Sequence, residues 1–495
     1  MSRLHAILFW VAAALLAAAH VIVAWNSLTQ NRLWEDEAFN LSVPRNLLAG
    51  LGYTSDGAIS GSTLEPWDPR ISTGPTVLLP IAAVMALGAD PVIGGRAVVL
   101  VFWAALLAGL FVLGSRIGGR WGGLAAVTAT LAFDTVHNYS PIQGPADIVG
   151  EIPAAALLVW ALIALRTRPW LAGLLVGLAV QTKLISALAL PAFAVWLLLT
   201  ETGSFGARFA AAWRRAWPAL IGLAAPTALY FLAVLIDRGV AGLRDTLIKL
   251  ARFLRDGGPA GQHTTFGEKI TTLLGAWWIP VGLAAAAAVL IGALTVIAVL
   301  ATRGRFDSPL AHHADERAET ERWAYVVAAA AGLAAFLLWW ASASHLPLWV
   351  RHPAPGIFAF GSLLAAAAVH GVRVLRHRER RLRRAAAAVA GAALVLALAA
   401  PAALHTVYAA PASGALAAQR VHAAGFADAI ADNDVELPGG YLAATPWGAA
   451  VATVFLTGAH IGIGGDAAME GVPQLSYQGC EPFLHEDAGL RLCVP

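Results

Sequence analysis

Long apolar runs separated by short polar and basic segments recur along most of this 495-residue chain. A helix needs about 20 apolar residues to cross the hydrocarbon core of a bilayer, and the runs predict about eleven such crossings. We place them at residues 4–25, 95–114, 121–134, 150–166, 171–181, 184–199, 217–236, 277–300, 323–341, 353–370 and 386–404. The pattern therefore predicts an all-α polytopic membrane protein.

Composition excludes an ordinary soluble protein. Hydrophobic residues make up 58% of the chain and charged residues 13%, against about 45–50% and about 25% in soluble domains. The sequence contains no Walker loop, Gly-rich dinucleotide fingerprint or zinc motif. A cytoplasmic site for a nucleotide sugar is therefore unsupported, and we expect no nucleic-acid partner.

Arginine clusters predict which loops face the cytoplasm. The clusters fall on one side of the span map, at Arg116, Arg120, Arg166, Arg168, Arg208, Arg214 and Arg215, within 303–322 and, most densely, within 373–384. Cytoplasmic loops carry an excess of Lys and Arg. We expect the protein in the plasma (inner) membrane. Its extracytoplasmic side then carries the first loop 26–94, the loop 237–276 and the tail 405–495.

The apolar segment 76–87 leaves two topologies open. It has only 12 residues, between Gly74-Pro75 and Gly88, and stretches of about 10–14 apolar residues are more often re-entrant or interfacial than spanning. In the alternative it crosses, and residues 171–199 fuse into one helix. That alternative places Lys183 in mid-bilayer at a cost of about 2.5–3.5 kcal/mol on insertion scales, so we favour the first topology.

The tail is predicted to form a small extracytoplasmic α/β domain, residues 405–495, after a transmembrane domain of residues 1–404. A helix is expected at 415–430, and short strands at 441–445 and 460–463. Cys480 and Cys493 are the only cysteines of the chain. An oxidising compartment would join them in a disulfide, and two unpaired buried thiols are the alternative.

The first loop opens with three consecutive carboxylates, Glu35, Asp36 and Glu37. An amphipathic helix is expected to begin just after them and to lie along the membrane surface. Such acids can stabilise a helix N-terminus. A carboxylate held there can also act as a general base towards a hydroxyl group.

Several segments resemble the GT-C glycosyltransferases, in particular the bacterial protein O-mannosyltransferase-like and aminoarabinose-transferase-like enzymes. The resemblance rests on residues 35–38, 49–53 and 72–75 of the first loop, on Gly150-Glu151-Ile152-Pro153-Ala154 and on the turn at 177–183. It covers roughly residues 1–370 in order and spacing. It departs at Ser72-Thr73-Gly74-Pro75, where many relatives carry His-Pro-Pro or Lys-Pro-Pro.

The resemblance implies an enzyme that transfers a sugar from a polyprenyl-phosphate donor, with inversion, to a glycan, lipid or protein acceptor outside the cytoplasm. Asp36 matches the general base and Glu37 a supporting carboxylate. Some members of the family bind a divalent cation through acids of the first two outer loops. Asp36, Asp147 and Glu151 would be those acids here, and no other cofactor is implied.

A leaving polyprenyl phosphate requires positive charge at the membrane surface. Lys183, in the turn between two short spans, is the first candidate to bind the donor phosphate. Arg351 and His352, at the outer start of the span 353–370, are a second pair. For each, contact with lipid headgroups is the alternative interpretation.

Two other functions remain open. A transporter or flippase of lipid-linked sugars predicts charged residues that line a path inside the spans, and the mapped spans carry almost none. A ligase or polymerase that moves a whole glycan from a diphosphate carrier would share the same topology.

Overall fold

The computed structural model describes residues 3–57, 63–69, 72–133, 141–256, 263–303, 313–376 and 381–495. The helices are α1 (Arg3–Thr29), α2 (Glu35–Leu48), α3 (Pro75–Ala86), α4 (Pro91–Ala132), α5 (Glu151–Ala164), α6 (Pro169–Thr182), α7 (Leu190–Thr200), α8 (Phe205–Asp256), α9 (Phe266–Leu274), α10 (Val281–Arg303), α11 (His313–Ser342), α12 (Ala354–Gly356), α13 (Ser362–Arg376), α14 (Arg381–Ala409), α15 (Ala415–Asp432) and α16 (Ala449–Thr457). The strands are β1 (Thr54–Ser55), β2 (Glu65–Pro66), β3 (Tyr441–Thr445), β4 (His460–Ile463), β5 (Gln474–Ser476), β6 (Phe483–Asp487) and β7 (Leu490–Cys493).

Seven helices of the described chain are long and apolar enough to cross a membrane. They comprise α1, α4, most of α8, α10 and α11, the continuous segment Ala354–Arg376, and α14. Large apolar side chains on these helices are exposed in the protein, including Trp10 and Leu15 on α1, as expected of surfaces that face lipid. The prediction of a polytopic all-α membrane protein is confirmed, while the number of eleven crossings stays a prediction.

Glycines interrupt two of the long helices where the sequence predicts separate elements. Gly119 in α4 has a φ of 61°, and Gly239 in α8 has a φ of 66°. Glycine adopts such left-handed angles without the steric cost that a Cβ adds. The break in α4 separates the predicted spans 95–114 and 121–134. The break in α8 lies just after the predicted span 217–236.

Lys183 lies at a helix break. α6 ends at Thr182, a 3-10 segment Leu184–Ala189 follows, and α7 begins at Leu190. Residues 171–199 therefore do not form one continuous helix, while the choice between the two topologies stays a prediction. The first loop also contains a separate helix, α3, with proline as its first residue.

The chain divides into two compact units. Unit 1 comprises Met1–Val23, Phe102–Gln143 and Glu151–Ala410, and unit 2 comprises Ala24–Val101, Gly144–Gly150 and Pro411–Pro495. Unit 2 thus joins most of the tail to the first loop. This unit takes residues from both predicted domains. The domain boundary predicted at 404/405 stays a prediction.

The tail carries a five-stranded sheet in the order β4-β3-β5-β7-β6. β3 is parallel to β4 and β5, whereas β7 is antiparallel to β5 and β6. α16 connects the parallel strands β3 and β4, a crossover that parallel pairing requires. Cys480 and Cys493 form a disulfide, with their Cα atoms 5.9 Å apart. β3, β4 and α15 lie where the sequence predicts them.

Candidate active site

The three predicted carboxylates form the first turn of α2, so the helix begins three residues earlier than the sequence suggests. Glu35 forms an ion pair with Arg32, with 3.3 Å between Oε2 and Nη2. Asp36 is half-buried. The helix N-terminus carries partial positive charge and stabilises carboxylates, which accounts for three acids in one turn.

Glu37 is wholly buried and fixed by an arginine that sequence analysis did not identify. Arg96 Nε donates to Glu37 Oε1 at 3.0 Å, and Arg96 Nη2 donates to Oε2 at 2.7 Å. The backbone N–H groups of Trp34 and Ile148 donate to the same carboxylate, each at 3.1 Å. Both side chains of the ion pair have no exposed surface. A buried charge pair of this kind is kept only with such complete hydrogen bonding.

Arg96 also fixes the chain that enters α2. Its Nη1 donates to the carbonyl of Asn31 at 2.9 Å, and its Nη2 to that of Arg32 at 2.8 Å. Arg96 lies in the first turns of α4 and therefore ties that helix to the start of α2. The sequence contains one signal for this role, because an arginine inside an apolar run, such as Arg96, requires a partner for its charge.

Asn40 holds the segment that departs from the family pattern. Its Nδ2 donates to Thr73 Oγ1 at 3.0 Å and to the carbonyl of Ile148 at 2.7 Å. Ser72 Oγ donates to Asn40 Oδ1 at 2.9 Å. Trp67 Nε1 donates to the carbonyl of Thr73 at 2.8 Å. The residues at 72–75 are therefore ordered against α2 by hydrogen bonds between neutral groups.

A buried carboxylate in the first loop, Asp56, joins α2 to the tail within unit 2. Its partners are Arg45 Nη2 at 2.7 Å, Asn46 Nδ2 at 2.8 Å, His460 Nδ1 at 2.9 Å and the Ile461 N–H at 2.9 Å. Burial alone would raise the pKa of Asp56, but the hydrogen bond to His460 and the other three partners hold it below its ordinary value of 3.8. Asp56 is therefore ionised at neutral pH.

In unit 1, Lys183 forms an ion pair with Glu151. The carboxylate of Glu151 has no exposed surface, whereas the Lys183 side chain keeps 12% of its surface exposed. Lys183 caps the 3-10 segment that separates α6 from α7. The structure thus fixes this ammonium group at a helix break and leaves part of it accessible.

The predicted pair Arg351 and His352 lies in the same unit, in the turn between α11 and α12. Burial lowers the pKa of His352 well below its ordinary value of 6.5, and the charges of Arg351, Lys183 and Lys269 lower it further. The charges of three cations therefore act on this imidazole. The structure thus places Lys183 and Arg351 within electrostatic reach of His352, and the role of the three residues in phosphate binding stays a prediction.

Lys269 is the fourth member of this group and was not identified from the sequence. It lies on α9 with no exposed surface. Its Nζ donates to the carbonyls of Trp340 and Ala343 and lies 5.4 Å from the ring centroid of Trp340. The guanidinium of Arg351 lies over the Trp349 ring at 5.2 Å. Backbone carbonyls and a tryptophan ring thus hold Lys269, and a second tryptophan ring lies against Arg351.

Within the described ranges, no group of three or more His, Cys, Asp or Glu side chains is arranged to hold a metal ion. The metal set of Asp36, Asp147 and Glu151 stays a prediction. The buried acids already lie near cations, Glu151 against Lys183 and Asp147 within electrostatic reach of Arg96.

No family model and no curated protein matches the chain. Solved structures do resemble it. ArnT from Cupriavidus metallidurans bound to undecaprenyl phosphate has a TM-score of 0.62 at 13% identity, over 100% of this chain and 98% of that one. The apo state of the same protein gives 0.59 at 14% identity, over 99% and 98%.

A second kind of transferase matches with a lower score. The oligosaccharyltransferase of Archaeoglobus fulgidus, tethered to an acceptor peptide, has a TM-score of 0.51 at 12% identity, over 94% of this chain and 66% of that one. Identities of this size show the fold alone. The chain is a multi-pass membrane protein with the GT-C fold that these transferases share.

Proposed function

We propose that this protein is a membrane glycosyltransferase that transfers a sugar from a polyprenyl-phosphate donor to an acceptor outside the cytoplasm. The proposal rests on Lys183, Arg351 and Lys269, whose charges act together on His352, in a chain with the GT-C fold. A similar fold bound to undecaprenyl phosphate supports the class of carrier lipid.

The cations suit the leaving group of this reaction. When the sugar departs, the carrier phosphate gains negative charge, and fixed positive groups stabilise that charge in the transition state. We assign Lys183 and Arg351 to the donor phosphate. Lys269 contributes through its charge, because its ammonium group is held by carbonyls. His352 is neutral and contributes hydrogen bonding rather than charge.

Asp36 is the proposed general base. Its carboxylate takes the proton of an acceptor hydroxyl while the hydroxyl oxygen attacks the anomeric carbon of the sugar. The bond from that carbon to the phosphate oxygen breaks, and the phosphate leaves with the bonding electrons. Attack opposite the leaving group inverts the configuration. Asp36 is half-buried at the start of α2, so an acceptor can reach it.

Glu37 is a positioning residue in this mechanism. Its carboxylate is wholly buried and accepts hydrogen bonds from Arg96 and two backbone N–H groups. It therefore has no surface for an acceptor. Its role is to fix the turn that presents Asp36, because a displacement of a catalytic group by about 1 Å can slow such a reaction about a hundredfold.

Purified protein in lipid nanodiscs, incubated with labelled polyprenyl-phosphate sugars and an acceptor mixture, tests the proposal. We expect release of polyprenyl phosphate and a labelled product. Turnover of polyprenyl-diphosphate glycans alone would instead identify a ligase. Movement of the intact donor across a liposome bilayer, without cleavage, would identify a transporter and overturn the proposal.

A further inference from the structure

Unit 1 contains an apolar groove that the proposed reaction does not use. Its volume is about 870 Å³, and it is lined by α1, the part of α4 after the Gly119 break, α13 and α14. On α14 the lining runs from Gly391 to Val407, which is about 24 Å of helix at about 1.5 Å per residue. Leu15, Val395 and Val407 expose apolar surface along it. The groove has the length and chemistry to take acyl chains.

Arginines gather at one end of the groove. Arg373 and Arg376 line it, and the guanidinium of Arg373 lies against the helix break in α4. A Cβ at Gly119 would come within 2.5 Å of Arg373 Nη1, so the glycine leaves the room that the guanidinium occupies. The charges of Arg120 and Arg322 act on Arg373. The end of the groove is therefore strongly positive.

Little in the described chain offsets this charge. Arg120 donates to the carbonyl of His5 at 3.2 Å and lies over the Phe9 ring at 4.5 Å. Across the described ranges, neither Arg120 nor Arg373 forms an ion pair with a carboxylate. Like charges at close range repel one another. An anionic group bound there would relieve the repulsion and gain charge-assisted hydrogen bonds.

This end of the groove is distinct from the group around His352. Arg351 precedes the helical segment Ala354–Arg376, and Arg373 lies near its other end. The two arginines are 22 positions apart, which corresponds to about 33 Å of helix and matches a hydrocarbon core of about 30 Å. The two cation groups therefore mark opposite surfaces of the membrane. The positive-inside rule assigns the Arg373 end to the cytoplasm.

We propose that this groove binds an anionic glycerophospholipid, whose phosphodiester contacts Arg373 and Arg120 and whose acyl chain lies along α14. Basic pockets between transmembrane helices at the cytoplasmic surface bind such headgroups. The proposal commits to a resident bilayer lipid and does not depend on the enzymatic reaction.

Native mass spectrometry of delipidated protein, titrated with phosphatidylglycerol or phosphatidylcholine, tests the charge requirement. We expect about tenfold more phosphatidylglycerol than phosphatidylcholine to be retained at equal concentration. Arg373→Ala should lower the retained phosphatidylglycerol about tenfold, because the loss of a charge-assisted hydrogen bond weakens binding by that factor or more. Arg214→Ala is the matched control, an exposed arginine of α8 outside the groove, and leaves retention unchanged.

A second pair of variants tests the apolar part without removing charge. Ala399 lines the groove, and its neighbour Ala400 is exposed on α14 but does not line it. Ala399→Trp fills the groove and lowers retention, whereas Ala400→Trp does not. If Arg373→Ala fails to fold, the comparison of Ala399→Trp with Ala400→Trp still tests whether the groove binds the lipid. Equal retention of the two phospholipids, equal effects of the two tryptophans, or displacement of phosphatidylglycerol by equimolar undecaprenyl phosphate would overturn the proposal.

Discussion

Lys183 lies against a buried carboxylate, so a single substitution at this residue has two consequences. Lys183→Ala removes the proposed contact to the donor phosphate and also leaves Glu151 buried without its ion-pair partner. Removal of one partner of a buried ion pair costs about 3–5 kcal/mol. Loss of activity in Lys183→Ala would therefore not by itself identify a binding role.

The double variant Lys183→Gln, Glu151→Gln separates these effects, because it removes both charges together. We expect its thermal stability to stay closer to that of the parent than Lys183→Ala does. Its donor affinity should still fall about tenfold to a hundredfold, the value of one charge-assisted hydrogen bond. Donor titration of the detergent-solubilised protein measures this. Unchanged affinity in the double variant would leave Lys183 as a lysine that contacts lipid headgroups.

The depressed pKa of His352 predicts that the stability of the protein depends on pH. Its pKa in the folded protein lies well below 6.5 because of burial and three nearby cations. The unfolded chain therefore binds more protons below pH 6.5, and the folded state loses stability as the pH falls from 6.5 towards the depressed pKa. The slope from this one group reaches about 1.4 kcal/mol per pH unit.

Thermal unfolding between pH 5 and 7.5 checks this expectation. His352→Asn should lose part of the acid-dependent fall in unfolding temperature that the parent shows. His263→Asn is the matched control, since His263 is exposed, and it should keep the parent's slope. An identical slope in His352→Asn and the parent would contradict the assigned burial and charge.

At the scale of elements, Asp56 connects α2 to the sheet of the tail. Asp56→Ala leaves Arg45 and His460 without their shared acceptor, and we expect unfolding at a temperature several degrees lower, for a loss of about 3 kcal/mol. Limited proteolysis of the tail should also become faster. Asp432→Ala removes an exposed carboxylate of α15 and serves as the control, with no comparable change expected.

The pH range of this contribution follows from the direction of the Asp56 pKa. The folded-state pKa lies below the ordinary value of 3.8, so the stabilisation is present above that value. It is lost as the pH falls through the depressed pKa. Resistance of the tail to an acid-stable protease should therefore decrease below about pH 3.8, and Asp56→Ala should show no such step.

Local signals in the sequence predicted the elements better than the site. Short apolar stretches bounded by Gly or Pro marked β3 and β4, and the charged breaks marked the helices, because each signal depends on neighbouring residues. The contacts that fix the site join residues far apart. Glu37 and Arg96 are 59 positions apart, and Asp56 and His460 are 404 apart. No periodicity links such pairs, so the sequence indicated Asp36 and Glu37 but not the arginine that holds Glu37.

The start of α2 shows a second limit of prediction from the sequence. The acids were expected before the helix, whereas they form its first turn, since a carboxylate at N1 to N3 satisfies the same electrostatic preference as one at the cap. Lys183, Arg351 and His352 were each predicted for their charge or position. Their grouping, and the neutral state of His352, depend on burial that only the fold supplies.

For the whole molecule, the central expectation is topology. Single cysteines at Asp432 and Arg384, both exposed, are introduced into a chain with Cys480→Ser and Cys493→Ser. An impermeant thiol reagent added to intact cells should label position 432 and not position 384, because the positive-inside rule assigns the arginine-rich end to the cytoplasm. Arg378, in the same cluster, lies outside the described residues. Labelling at 384 in intact cells would reverse the assignment of the faces.

The most direct test of the account is the rate of sugar transfer by Asp36→Asn, with Glu35→Gln and Glu37→Gln as comparisons. Asn keeps the shape of the side chain and removes its basicity, and general-base assistance contributes about 10²- to 10⁴-fold. We expect Asp36→Asn to fold normally, to bind donor normally and to lose turnover by that factor. Glu37→Gln should lower stability together with a smaller loss of turnover, because it unbalances the buried pair with Arg96, and Glu35→Gln should change least. Near-normal turnover in well-folded Asp36→Asn would contradict the account, and loss of turnover in Glu35→Gln with Asp36→Asn active would place the base elsewhere in the turn.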